Sequence, residues 1–176
     1  MRHASLIATG LAAFGLAGGV AVAAPLHADL ALTGPGAASV GSVDISDGAS
    51  GALFTVHLHG LPPGPHGFHI HQNASCDAAP GKDGAMVAGG AAGGHLDPEK
   101  TGMHMGPEGA GHLGDLPFVT VASDGTADVV LTAPRVKDVS ALKGRSLMIH
   151  AGGDNYSDAP APLGGGGPRL ACGVIG

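Results

Sequence analysis

The sequence predicts an all-β domain built as an antiparallel sandwich or barrel, and three observations support this. Glycine supplies 33 of the 176 residues and proline 13, so turn-forming residues interrupt most windows of the chain. No stretch keeps apolar residues at the i, i+3, i+4, i+7 spacing of an amphipathic helix. Eight short segments have the composition and alternation of strands, which is typical of sandwiches and barrels.

The first four predicted strands lie before residue 73. Residues 28–33 alternate weakly, and residues 39–46 carry Val40 and the alternating β-branched Val43 and Ile45 before the turn dipeptide Asp47-Gly48. Residues 52–59 alternate most clearly, because apolar side chains occupy every second position of ALFTVHLH. The opposite face of that strand carries His57 and His59, which we interpret as solvent-facing. Residues 67–72 form the fourth run.

The other four predicted strands lie in the second half of the chain. Residues 118–122 and 127–131 flank Asp124-Gly125, a pattern that predicts a hairpin between them. Residues 146–150 and 170–175 complete the set.

Two long segments carry no convincing strand or helix pattern, namely residues 73–117 with 11 glycines and residues 152–168 with four glycines in a row. The alternative interpretation is low-complexity disorder. The first segment holds a cysteine, three histidines and several carboxylates, which are metal-ligand types that a disordered linker does not need. We therefore expect two long ordered loops.

Composition excludes several classes of protein. The net charge is −6 and no lysine–arginine cluster is present, which argues against a nucleic-acid binder. Hydrophobic residues make up 44% of the chain, too many for charge-driven disorder.

Residues 1–23 have the pattern of a secretory signal peptide. A short basic start precedes an apolar run, and Ala21-Val22-Ala23 supplies a small-x-small cleavage site. The alternative is a membrane anchor, which the glycine content and the absence of a basic flank disfavour. Cleavage would leave one domain at residues 24–176, exported and free of the membrane. Because Arg2 is the only charged residue removed, its net charge would be −7.

The only two cysteines, Cys76 and Cys172, both lie in the predicted mature domain. A pair of cysteines in an exported protein predicts a disulfide, and the alternative is two free thiols.

The histidines form three patterns typical of metal sites. His69 and His71 lie two apart on a predicted strand and therefore point to the same side, although a solvated polar face would look the same. His150 ends another predicted strand and is followed by Asp154, a possible hydrogen-bond partner for a ligand. The third pattern lies within 21 residues of the first long loop and is a complete tetrahedral zinc set of His95, His104, His112 and Asp115.

At these residues the chain resembles the copper/zinc superoxide dismutases of the bacterial, exported branch. The similarity covers nearly the whole predicted mature domain, in the family order. The matching runs are GPHGFHIH (64–71), GGHLDP (93–98), HMGP (104–107), GHLGDLP (111–117), GRSLMIHAGGDNYSD (144–158) and RLACGVIG (169–176).

The resemblance implies an eight-stranded antiparallel Greek-key barrel or sandwich with one copper and one zinc ion per chain. The implied copper ligands are His69, His71, His95 and His150. The implied zinc ligands are His95, His104, His112 and Asp115, so that His95 would serve both metals.

The resemblance also implies roles for residues around the metals. Asp154 would orient one copper ligand and one zinc ligand together, and Arg169 would bind the anionic substrate beside copper. The implied disulfide is Cys76–Cys172. His95 would also carry a proton during turnover, which makes it a catalytic residue together with Arg169.

The implied function is the conversion of two superoxide anions to O₂ and H₂O₂. The alternative is a non-catalytic copper- and zinc-binding or copper-delivery protein on the same fold. A zinc hydrolase is disfavoured, because the predicted zinc set leaves no open position. The resemblance further implies a periplasmic protein and allows a homodimer as well as a monomer.

Overall fold

The computed structural model describes residues 24–176. The signal-peptide prediction concerns residues 1–23 and lies outside these described residues. Within them, no helix is long and apolar enough to cross a membrane. The strands are β1 (Leu26–Leu32), β2 (Ser39–Ser46), β3 (Ala52–Leu58), β4 (Gly64–His66), β5 (Phe68–His71), β6 (Ala79–Pro80), β7 (Met86–Val87), β8 (Val119–Val121), β9 (Ala127–Ala133), β10 (Ser146–His150) and β11 (Arg169–Val174). Three short 3₁₀ helices cover Gly90–Ala92, Val139–Leu142 and Leu163–Gly165.

Antiparallel pairing joins most of these strands into one curled sheet. Seven strands follow the order β5-β10-β11-β1-β2-β3-β9, and β4 pairs with β8. Only Gly67 separates β4 from β5, so the two act as one interrupted strand and the full order has eight strands, from β8 to β9. The chain crosses from β3 to the opposite edge of the sheet at β4, a crossover of the Greek-key type. The predicted all-β antiparallel fold is confirmed.

The predicted hairpin across Asp124-Gly125 is wrong in its pairing. The turn itself forms, because the amide of Ala122 donates to the carbonyl of Thr126 at 2.7 Å. Beyond this turn the strands separate, since β8 pairs with β4 and β9 pairs with β3. The two strands therefore lie at opposite ends of the sheet order, and a local turn signal cannot determine a strand's partner.

The interior of the barrel is mostly aliphatic. Along β3, Phe54, Val56 and Leu58 are buried while His57 and His59 are exposed, as the alternation predicts. Phe54 meets Phe68 of β5 edge to face, with 5.9 Å between ring centroids. Leucine, valine and isoleucine side chains supply most of the remaining core, which compensates for the scarcity of aromatic residues.

The first long loop contains more regular structure than predicted, because β6 and β7 form a small hairpin within it. A disulfide joins Cys76 in this loop to Cys172 of β11, with 5.7 Å between the two Cα atoms, so the predicted disulfide is confirmed. Cys172 packs against Ala92 and Met148 in a small apolar cluster. The disulfide thereby fastens the loop to the centre of the sheet.

Candidate metal centre

Three backbone hydrogen bonds bring distant parts of the chain to one point beside β5. The amide of Ile70 donates to the carbonyl of Gly114, that of Gly114 to Leu96, and that of Leu96 to Ile70, all at 2.8–2.9 Å. A Cβ atom on Gly114 would lie 2.3 Å from the carbonyl oxygen of Ile70, so only glycine permits this approach. Each residue of the triangle is the chain neighbour of a histidine or aspartate of the predicted metal sites.

The first cluster consists of four buried histidines. β5 places His69 and His71 on the same side, and β10 places His150 at its end next to them. His95 completes the group, and its ring stacks on that of His69 with 4.0 Å between centroids. One nitrogen from each of the four rings lies within 4.8 Å of the others, close enough to surround one metal ion.

Hydrogen bonds to the outer ring nitrogens determine which nitrogens of this cluster are free. Nδ1 of His71 donates to the carbonyl of Gly93 at 2.9 Å, and Nδ1 of His150 donates to that of Gly167 at 3.1 Å. Because a carbonyl only accepts, these nitrogens carry the proton and the Nε2 atoms keep their lone pairs. Four buried nitrogens of this cluster have no hydrogen-bond partner, namely Nδ1 of His69 and Nε2 of His71, His95 and His150.

Burial keeps these imidazoles neutral. It lowers the pKa of His69 to about 3, against the opposing effect of Asp154, and the pKa of His150 to about 4. The pKa of His71 and that of His95 are lowered for the same reason. Neutral rings with unpartnered lone pairs are the form in which histidine binds a metal.

The second cluster is built around one carboxylate oxygen. Oδ1 of Asp115 lies 2.9 Å from Nδ1 of His95, 3.0 Å from Nδ1 of His104 and 3.3 Å from Nδ1 of His112. Of the two ring nitrogens of His104, Nε2 donates to Oδ1 of Asp154 and Nδ1 has no hydrogen-bond partner. Three imidazoles crowded around one carboxylate form a closed donor set of the kind that binds zinc.

Asp154 joins the two clusters. Its Oδ2 accepts from Nε2 of His69 at 2.7 Å, and its Oδ1 accepts from Nε2 of His104 at 2.8 Å. Burial opposes ionisation of this carboxyl, but the two histidines outweigh it and hold its pKa below the usual range. A Cβ atom on Gly164 would lie 2.0 Å from Oδ1 of Asp154, which explains a glycine at that position.

Arg169 lies against the first cluster. Its guanidinium donates to the carbonyls of Gly89 and Gly93, and the carbonyl of Gly93 also accepts from Nδ1 of His71. The side chain is partly buried, which lowers the pKa of the guanidinium without removing its charge. Arg169 is thus fixed as a cation beside a cluster histidine.

The structure brings the predicted metal ligands together in two clusters that share His95. It places Asp154 between the clusters and Arg169 beside the first. The other histidines of residues 24–176 belong to neither cluster. Nδ1 and Nε2 of His66 contact the carbonyls of His150 and Pro62, each at 2.7 Å, and exposed His57 bonds to Asp128.

Sequence reasoning missed two residues that contact the second cluster's backbone, Asp158 and Arg135. Oδ2 of Asp158 accepts from the amide of His104 at 2.8 Å, and Arg135 donates to the carbonyls of Gly111 and His112. Because both contacts involve main-chain atoms far away in sequence, no spacing signal could have revealed them.

Comparison with known proteins gives a consistent match. A family model described as copper/zinc superoxide dismutase matches residues 39–175. Superoxide dismutase [Cu-Zn] 2 of Salmonella typhimurium is 61% identical over 137 residues, which cover 78% of this chain and 79% of that protein. Superoxide dismutase [Cu-Zn] of Escherichia coli K12 is 57% identical over 137 residues, with the same two coverages.

Solved structures agree with this match. The Cu/Zn superoxide dismutase from Brucella abortus has a TM-score of 0.81 at 50% identity, covering 85% of this chain and 98% of its own. The monomeric copper, zinc superoxide dismutase from Salmonella enterica has a TM-score of 0.75 at 55% identity, covering 87% of this chain and 100% of its own. The chain belongs to the copper/zinc superoxide dismutase family.

Proposed function

We propose that the first cluster holds copper and the second zinc, in an enzyme that converts two superoxide anions to O₂ and H₂O₂. The observation that carries the assignment is the set of buried, unpartnered ring nitrogens aimed at the centre of the first cluster. Four neutral imidazoles suit Cu(II), whereas three imidazoles and a carboxylate suit zinc. Copper held by His69, His71, His95 and His150 would supply one-electron redox chemistry, because it can alternate between two oxidation states.

Arg169 is proposed to bind the substrate. Superoxide is a small anion, and a fixed guanidinium can hold such an anion by two charge-assisted hydrogen bonds. The bonds to Gly89 and Gly93 fix the guanidinium, so no side-chain freedom is lost when the anion arrives. The domain's net charge of −7 repels anions at long range, but salt screens this repulsion beyond about 8–10 Å. Within that distance the local charge of Arg169 dominates.

His95 is proposed to hold one of the two protons that the formation of H₂O₂ consumes, and water supplies the other. Its Nδ1 faces Asp115 and the zinc cluster, which leaves Nε2 as the atom that can accept a proton on the copper side. The ring cannot swing away while Nδ1 is held, so the proton stays beside the bound anion. Asp154 supports this geometry by fixing the neighbouring rings of His69 and His104.

The alternative of a copper-delivery protein fits less well. Such a protein must present its ligands to a partner, whereas the four copper-cluster histidines are at most 6% exposed. A delivery protein also has no use for a fixed cation beside the metal. A zinc hydrolase would need an open coordination position, and the proposed zinc set has four protein donors.

Export to the periplasm is proposed from residues 1–23 and from the bacterial relatives. Both clusters are complete within one chain, so catalysis as proposed requires no second subunit, and a homodimer would be an addition to a working monomer. Mass determination of protein from a periplasmic extract tests the cleavage near Ala23. A mass that includes residues 1–23 would contradict it.

Metal analysis coupled to a superoxide-removal assay tests the function. We expect one copper and one zinc per chain and rapid superoxide removal. His71→Ala should lose copper and activity, while His57→Ala, which removes an exposed histidine, should retain both. Zinc alone after copper loading, or equal activity in both variants, would refute the proposal.

A further inference from the structure

Arg135 lies outside both clusters but contacts the loop that carries one of them. Its Nη1 lies 3.0 Å from the carbonyl oxygen of Gly111 and 3.0 Å from that of His112. No carboxylate among residues 24–176 lies within 4.0 Å of its guanidinium. The two carbonyls are therefore its principal partners, although 23 and 24 residues separate them from it in sequence.

The main chain of Arg135 is anchored to the barrel. It follows β9 in a turn in which the amide of Val136 donates to the carbonyl of Ala133 at 3.2 Å. The carbonyl of Val136 in turn accepts from the amide of Ala52 at 2.9 Å, and the Val136 side chain is buried in the core. The guanidinium therefore extends from a main-chain position that the sheet and the core hold fixed.

The carbonyls that Arg135 contacts belong to the turn that supplies two donors of the second cluster. The carbonyl of His112 accepts from Arg135 and also from the amide of Asp115 at 3.4 Å. Gly111 and His112 are buried, so these carbonyls need protein partners. Glycines at positions 109, 111 and 114 leave this turn little side-chain packing of its own.

We propose that Arg135 is a positioning residue for the zinc site, an inference that rests on the zinc assignment above. By bonding both carbonyls, Arg135 holds the turn so that Nδ1 of His112 stays 3.3 Å from Oδ1 of Asp115. Partners of this kind, one step removed from the metal, change metal affinity by about 10- to 100-fold. The same loss is expected in Arg135→Ala.

The test measures zinc dissociation by chelator competition and the visible absorption of Co²⁺ bound in place of zinc. Arg135→Ala should bind zinc about 10- to 100-fold more weakly and change the Co²⁺ spectrum, and Arg135→Lys, which keeps the charge and a donor, should recover part of the loss. Lys137→Ala is the matched control, because Lys137 is an exposed cation two residues away whose ammonium donates to the carbonyl of Ser50 and to no zinc-cluster residue within the described part of the chain. Lys137→Ala should keep the zinc affinity and the Co²⁺ spectrum of the wild type.

Zinc affinity within twofold of the wild type in Arg135→Ala, or an equal loss in Lys137→Ala, would overturn the proposal. If Arg135→Ala does not fold, Arg135→Gln is measured instead and is read by the same criterion. His112→Ala separates the zinc assignment from the proposed role of Arg135. If His112→Ala keeps zinc, the zinc assignment itself is wrong; if it loses zinc while the Arg135 variants keep it, only the role of Arg135 is wrong.

Discussion

Reduction of the Cys76–Cys172 disulfide should strongly destabilise the metal-free protein. The bond closes a loop with a sequence separation of 96 residues, and chain entropy assigns about 4.7 kcal/mol to a loop of that length. Cys172 is held in β11 by pairing with Ala31 of β1 and Met148 of β10, and these pairs do not require the disulfide. The loss should therefore arise mainly in the unfolded chain, which gains freedom.

Urea unfolding of the same wild-type protein, with and without a reductant and always with a chelator, measures this effect. With an m-value of about 2 kcal/mol/M, the midpoint should fall by about 2 M on reduction. Using one sequence avoids the packing change that a substitution of buried Cys172 would cause. A difference below about 1 kcal/mol would refute the reasoning, because it would show that the loop is equally restricted without the bond.

Three other measurements test the site. Arg169→Ala should lower superoxide turnover by about 10- to 100-fold while both metals remain bound, since the charged contact between the guanidinium and the anion is lost; unchanged turnover at low salt would remove this residue from the mechanism. His112→Ala should lose zinc and lower Tm by about 5–10 °C, because zinc at 100 times its Kd stabilises by about 2.7 kcal/mol; an unchanged Tm in zinc would contradict a structural zinc. The metal-free protein should be most stable near pH 6.5. Burial lowers the pKa of His69 to about 3 and that of His150 to about 4, so the unfolded chain binds more protons below pH 6.5 and acid destabilises. Burial opposes the charged form of His104, but two carboxylates raise its pKa to about 9, so the folded chain binds more protons between pH 6.5 and 9 and stability falls there too. A flat profile of urea midpoints from pH 4 to 9 would contradict these assignments.

Local pattern was sufficient for the long strands. β2 and β10 occupy the predicted residues, because β2 carries Val40, Val43 and Ile45, β10 carries the apolar run 147–149, and turn residues flank both strands. β6 and β7 were missed, since two-residue strands are too short to show alternation. The wrong pairing of β8 and β9 has a different cause, because the partner of an edge strand depends on how the whole sheet closes.

The candidate site could be predicted only where side chains carry a spacing signal. The His69–His71 pair and the histidines of the first long loop have one, and family resemblance added the roles. Arg135 does not, because an arginine that bonds to carbonyls looks like any surface cation in the sequence. The backbone triangle of Ile70, Leu96 and Gly114 is equally invisible, since it depends on three segments meeting in the folded chain.

The ring of His95 links the metal affinities of the two proposed sites. Nδ1 belongs to one cluster and Nε2 to the other, so the proposed sites share a side chain and their binding free energies are coupled. Thermodynamic linkage is reciprocal, so zinc must change the affinity for copper by the same factor as copper changes the affinity for zinc. No single dissociation constant describes either ion without stating the concentration of the other. If the coupling is favourable, a compartment poor in zinc would also hold fewer copper-loaded chains, even where copper is plentiful.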